Sequence, residues 1–494
     1  MDSTPLVLGS TTRSHGERPA SSVTEVATEQ ADLGAHGESQ SASLQRNTIK
    51  YTVINTETAL PAVVPTIGEA DERKKSTIAA LPSETLEQIF KQLDGPAPSS
   101  SRLYDQPTHE ITSSTVTPIK AASLVCWQWR SLLIPTLYRH ARLIIPEPGI
   151  PTSIIDDEHI PFLNFVRKHR LRSYVKTYSL VIFNVAIRHT SKSDKEHQSN
   201  DFSSFWNKIL EEIDPMEITL VCSPQVLGAL TSCKVSSRHQ GSFDIPYHIL
   251  QLCRQGNPIE ELAPALVEGS TFGGMYDSTE SRPPLRHSVL LNTRPWTRML
   301  LNEGSFLGVY KTPDVFSKHP PSILGDLVGN GECIHTAMIP DTVRDLSYIA
   351  IFPPSPHFHM ITRCCPRVDR LYTQFVPRND ILENRAKLEF LDVNDLWMER
   401  NTCYAYIMRE LFNNPPTGNF RYLKFFESGD AADRDAWNMA VEYMKRAGAG
   451  WSIESTGVFI KSATEEQGTG DGRSISNDIS SSDEQTRPLL LVWF

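Results

Sequence analysis

His357-x-His359 followed by Cys364-Cys365 brings four soft ligands close together, the donor types a zinc ion takes. The set lacks a Cys-x-x-Cys pair, and neighbouring residues on one helix face rarely chelate a single ion, so ordinary packing is the plainer reading. Gly325-x-x-x-Gly329-x-Gly331 is glycine-rich, but without the Gly-Lys-Ser/Thr of a phosphate-cradling loop or a clear preceding strand it reads as a plain loop. Arg167-Lys168-His169-Arg170-Leu171-Arg172 is the strongest basic cluster, open to reading as a nuclear signal, a phosphate contact or a solvated helix face. Trp296-Thr297-Arg298-Met299-Leu300-Leu301 is amphipathic with an aromatic anchor, which suits core packing, the plainer reading, or a binding hot spot. No G-x-S-x-G, kinase motif set or H-E-x-x-H occurs. No residue is therefore assigned to catalysis, to a metal or to a cofactor, and the chain reads as a non-enzyme.

The elements that must position useful residues are set by composition first. A chain of 494 residues can bury a large core, and its formal charge of -10 argues against a nucleic-acid binder, which needs a basic surface. A protein partner is expected instead. With no apolar run of membrane length and no charged start followed by an apolar stretch, the chain is expected to be free of the membrane, in the cytoplasm or nucleus. Its eight cysteines are scattered and expected to be reduced. Residues 1–76 are rich in Ser, Thr, Glu and Ala and are expected to be disordered, as is the acidic tail 462–487 ahead of the apolar end 488–494.

Order is expected from residue 77. Leu86, Ile89, Phe90 and Leu93 fall at i, i+3, i+4 and i+7, one apolar stripe on a helix opened by Pro82 and ended by Asp94-Gly95-Pro96. A second helical pattern runs from Ile119 to Ile134, where Pro135 should stop or kink it. Between them lies a Pro-, Ser- and Thr-rich stretch, Gly95 to Pro118, expected to be a mobile and dispensable loop. Its hydroxyls offer phosphorylation sites, although a passive loop is the simpler reading.

Leu81-Pro82-x-Glu84-x-Leu86-x-x-Ile89-Phe90-x-x-Leu93 and then Ala122-Ser123-Leu124-Val125-Cys126-x-x-Trp129-Arg130 together resemble the F-box, with a longer link between the two halves than the family usually has. The resemblance covers under a tenth of the chain. It implies a small three-helix module over 77–145 that binds a Skp-family adaptor, and through it a cullin, with Leu81, Pro82, Leu86, Ile89, Phe90, Leu93, Val125, Cys126 and Trp129 as the adaptor-binding residues. Helices this short cannot bury wide apolar faces on themselves, which independently calls for a partner surface. Trp127 and Trp129 lie about 200° apart around a helix. With Trp129 assigned to the module and adaptor side, Trp127 is expected to fix the module against the following domain, somewhere within Ile144 to Phe165.

From 150 to 461 the chain alternates helical stretches with short apolar runs, and strands are expected at Val175–Phe183, Glu217–Cys222, Ser288–Leu291, Leu346–Phe352, Leu388–Val393 and Tyr422–Phe426. His189–Asp201 and Thr231–Ser242 read as polar loops. Val343, Leu346 and Tyr348, then Val368, Leu371 and Thr373, then Leu388, Leu391 and Val393, then Phe420, Leu423 and Phe425 approximate L-x-x-L-x-L at offsets of about 25, 20 and 32 residues. The expected fold is α+β: a helical F-box module followed by an irregular α/β solenoid resembling leucine-rich repeats. By layout the chain resembles the large F-box proteins of fungi. The resemblance implies a substrate receptor of a Skp-cullin-F-box ubiquitin ligase holding an unspecified target protein. An F-box scaffold acting outside a ligase and an enzyme with an appended F-box are the rival expectations.

Overall fold

Apolar residues alternate with period two through the strands of one ten-stranded sheet, and that alternation divides the protein into two differently furnished faces. The computed structural model describes residues 78, 81–114, 118–145, 161–183, 194–235, 243, 245–254, 288–311, 318–329, 337–364, 366–377, 388–389, 391–412, 418–448 and 450–462. All of them belong to one compact unit, Tyr51–Phe494. The arm 1–76, the tail from 463 onward and the apolar end 488–494 lie outside the described residues, apart from Ile78 just beyond the arm.

Three short helices come first: α1 (Ser83–Lys91), α2 (Pro118–Ser123) and α3 (Trp127–Leu137). Then follow β1 (His140–Ile145), α4 (Pro161–His169), β2 (Thr177–Ile182), α5 (Asp194–Glu212), β3 (Glu217–Cys222), α6 (Pro224–Thr231), β4 (His248–Cys253), α7 (Val289–Asn292), β5 (Arg298–Ser305), α8 (Leu324–Val328), β6 (Asp345–Ile351), α9 (Ser355–Arg363) and β7 (Arg370–Gln374). The chain closes with α10 (Val393–Phe412), β8 (Phe425–Ser428), α11 (Arg434–Ala447), β9 (Trp451–Ser455) and β10 (Val458–Lys461). No helix among the described residues is long and apolar enough to cross a membrane.

The strands stand side by side in chain order from β1 to β8, after which β10 pairs with β8 and β9 forms the edge. β1, β2 and β3 are mutually parallel, β4 is antiparallel to both neighbours, β5 to β8 are parallel, and the last hairpin is antiparallel. The fold is thus mixed α/β around one sheet. One face carries Leu180, Leu220, Leu250, Leu301, Leu346 and Leu371 and is buried under α4 to α11, which form the main core with Trp206, Ile209, Phe358, Ile407 and Leu411. Parallel neighbours need crossovers, and α4, α5, α8, α9 and α10 occupy those connections on this face.

The opposite face holds a correction to the sequence reading. Residues 95–114, expected to be mobile, lie across it: Leu103 and Ile111 are buried against Val181, Val221, Ile249, Leu300 and Ile349. The carboxamide of buried Asn302 donates to the carbonyls of Leu103 and Asp105, both at 2.8 Å. Arg142 donates to the Thr112 hydroxyl at 2.7 Å and to the His109 carbonyl at 2.9 Å. Tyr104 packs edge-on to Tyr372, ring centroids 5.1 Å apart. Gly304, in left-handed backbone at φ 75° where β5 shifts register, lets Pro107 approach; a Cβ there would sit 3.2 Å from the proline ring. The composition misled because a few apolar residues spaced among Ser, Thr and Pro suffice to anchor a strap on an apolar sheet face.

Other differences have equally local causes. β1 lies inside the region assigned to the helical module but pairs in register with β2, so the sheet begins at His140. Trp296 is buried with its indole N–H donated to the Leu290 carbonyl at 2.8 Å, as core packing requires, and β5, a strand not among those expected, begins two residues after it. Ser288–Leu291 is the cap and body of α7, and Leu388–Val393 contributes no strand, its last residue opening α10. α5 begins at Asp194 within the expected loop His189–Asp201, and α6 ends at Thr231 where the second loop was expected to start. Pro135 lies inside α3, which runs only two residues further, to Leu137, so the one bond its missing N–H forfeits, to the Ser131 carbonyl, falls near the helix end.

Candidate docking surface

The stripe on α1 splits between inside and outside. Leu86 and Phe90, four residues apart, point inward and are buried with Ile119, Ala122 and Leu133, while Leu81, Trp129, Leu132 and Leu137 pack around them half-buried. Phe90 and Trp129 meet edge to face with centroids 5.1 Å apart. These three helices therefore close a small core of their own.

Left outside that core are five large apolar side chains. Ile89 is 45% exposed, Val125 63% and Trp127 85%, and Leu93 and Leu124 are exposed too. The break between α2 and α3 explains three of them. Cys126, in extended backbone at φ -159°, opens α3 at Trp127, so Leu124 and Val125 lie in a turn and cannot fold into either helix face. Large apolar side chains grouped at a surface mark a contact site. Pro82 and Cys126 are exposed at the helix starts.

Of the residues the sequence put on the binding side, Ile89, Leu93, Val125, Cys126 and Pro82 are exposed, whereas Leu86 and Phe90 are interior and Leu81 and Trp129 half-buried. Leu124 was missed, although its place beside Val125 at a helix boundary was the available signal. The contact expected for Trp127 falls largely on residues 146–160, outside the described residues. Trp127 points away from Trp129, and among the described residues only Arg130 approaches it, its guanidinium carbon 5.9 Å from the ring centre. Ile134 and Tyr138 lie within about 20° of Trp127 around the axis but about 10 and 16 Å further along. They pack on the main core, with Tyr138 and Phe165 rings 4.9 Å apart, and so make the junction Trp127 was expected to make. The ion pair between Arg139 and Asp94 ties the end of α1 to the same corner.

A second constellation lies deep between sheet and helices. Glu303, wholly buried on β5, accepts from Tyr348 at 2.6 Å and from Ser322, lies 2.8 Å from His357 Nε2, and is 4.0 Å from His248 Nδ1. Burial opposes the charge on Glu303, but His357 and the hydroxyl donors outweigh it and hold the carboxyl down to about 2. Burial pushes His248 down to about 4, and neither of its ring nitrogens has a hydrogen-bond partner. The sequence signal for this cluster is Asn302-Glu303, two polar residues ending an otherwise apolar strand. Its members are closed from solvent, so it serves as internal polar structure.

The metal and basic motifs disperse. His357 faces Glu303, while His359 turns to Thr362 and stacks on Tyr406 at 4.6 Å. Cys365 and Gly331 lie outside the described residues, and Gly325 and Gly329 sit in and just after α8. Among the described residues no group of three or more His, Cys, Asp or Glu could hold a metal. In the basic cluster Arg167 pairs with Glu212 at 2.6 Å, and Leu171 is buried. Comparison with models of known protein families, with curated proteins and with solved structures found no match to this chain.

Proposed function

We propose that this chain is an F-box protein that docks onto a Skp-family adaptor and serves as the target-binding subunit of a cullin-based ubiquitin ligase. The observation that carries the reading is the set of exposed apolar side chains Ile89, Leu93, Leu124, Val125 and Trp127 on a module whose own core is complete without them. Burying each of these side chains contributes ~1.5 to 3 kcal/mol, in total the same order as the ~4 to 15 kcal/mol that association costs, so their burial is the main favourable term available and polar contacts supply the rest. The Val-Cys-x-x-Trp-Arg string and the Leu-Pro start support the choice of partner.

The remainder is read as an irregular relative of the leucine-rich solenoid that holds the target. In support, its strands follow one another across the sheet, and Val343, Val368 and Leu423 are each buried two residues ahead of a strand. No residue here carries covalent chemistry. Tethering raises the effective concentration of target lysines near a ubiquitin carried by other subunits. Co-purification of the full chain with the adaptor, followed by assay for the cullin, tests the reading. Capture of both supports a ligase subunit, and failure to capture the adaptor overturns it.

A further inference from the structure

The strap divides the sheet face opposite the main core. Towards the ends of the parallel strands that face is apolar and covered by Leu103 and Ile111. Towards their starts it turns polar. Register aligns Glu217, Cys253, Arg298 and Asp345 in one row across β3 to β6, and Gln251, Leu300 and Ser347 in the next row on the same face. Ser100, Leu103 and Tyr104 of the strap roof this region and leave a cleft of about 160 Å³.

Two polar side chains line that cleft without partners among the described residues. Gln251 is 9% exposed and Ser347 6%, both more than nine-tenths buried, and neither side chain makes a hydrogen bond. Their polar atoms open on the cleft and are not sealed beneath the strap, so both are free to accept from a group that enters it. The charges decide its sign. Arg298 is neutralised by Asp345, Nε to Oδ2 3.2 Å, which leaves the carboxylate of Glu217 uncompensated. The nearby His140 is held down by burial and is neutral at pH 7, so it offers Glu217 no counter-charge. The volume decides its size, since drug-sized ligands need pockets of ~300 Å³ or more. One long side chain fits.

We infer that this cleft binds a lysine or arginine side chain of an extended protein segment, with Glu217 taking the charge and Gln251 and Ser347 accepting further N–H groups. As the place where a target is read, the cleft rests on the receptor proposal; its binding chemistry does not. The test uses the full chain and fluorescent nonapeptide pools with Lys, Arg, Gln or Glu fixed at the centre. Lys- and Arg-centred pools are expected to bind at least about tenfold tighter than Glu-centred ones, the worth of one charge-assisted hydrogen bond. Glu217→Gln and, separately, Ser347→Val are expected to erase that preference while leaving the urea midpoint and adaptor co-purification unchanged. Equal binding of all pools, or a preference that survives both substitutions, overturns the inference. A wild type that prefers basic pools yet never binds the adaptor defeats the receptor reading and leaves the cleft standing.

Discussion

Ile111→Ala separates a structural strap from a passive loop. Ile111 is fully buried on the sheet face, in a cluster with Val181, Val221 and Ile249, and its truncation removes three carbons from a packed site. Large-to-small changes at such sites cost ~2 to 5 kcal/mol, a large part of the ~5 to 15 kcal/mol by which a domain is stable. Glu110 provides the internal control, because it lies on the same turn but projects a side chain 70% exposed, and Glu110→Ala should stay within ~0.5 kcal/mol. Urea unfolding followed by tryptophan fluorescence reads both variants. A fall in the midpoint for Ile111→Ala with an unchanged slope is expected. A loss below ~0.5 kcal/mol for Ile111→Ala would mean that the strap is not held on the sheet, and the account of that face would fall with it.

Asn302→Ala should cost ~1 to 3 kcal/mol, because it strands the carbonyls of Leu103 and Asp105, and hydrogen exchange in the strap should rise; unchanged exchange would contradict this. Trp127→Ala should leave the urea midpoint within ~0.5 kcal/mol, since the ring is almost wholly exposed, and a larger loss would restore it to a structural role. Acid lability should begin early. His248 titrates near 6.5 when unfolded but is held to about 4 by burial, so the unfolded chain takes the proton first. Stability present above pH 6.5 is then lost as the pH falls towards 4, by ~3 kcal/mol at ~1.4 kcal/mol per unit. Glu303, held to about 2, adds a further loss below pH 4.5, and His248→Leu should flatten the decline between pH 6.5 and 4.5, as measured by urea midpoints across that range.

The first helix was legible in the sequence because Leu86 and Phe90 repeat at helical spacing and Asp94-Gly95-Pro96 stops the chain, whereas the single helical pattern from Ile119 to Ile134 is broken into α2 and α3 at 124–126. Glu217–Cys222 was legible to the residue, and Leu346–Phe352 lies one residue from β6. What failed was anything decided by tertiary neighbours. The run Met299-Leu300-Leu301 fits a buried helix and a buried strand equally by periodicity, and only its place between β4 and β6 settles the matter. Likewise the strap's few apolar residues meant little until a bare sheet face was available to receive them. The division of the apolar stripe into an inner and an outer set was also invisible, because Ile89 and Phe90 are equally apolar and differ only in which way the packed helix turns them.

Titration calorimetry of the purified Skp-family adaptor into the full chain bears most directly on the central claim. Wild type should bind at one to one. Val125→Asp and, independently, Ile89→Asp should weaken binding by at least about thirtyfold, the equivalent of losing one buried apolar side chain at ~2 kcal/mol, with urea midpoints unchanged because both positions are exposed in the free chain. No measurable heat with wild type, or full affinity retained in both variants, would contradict the account.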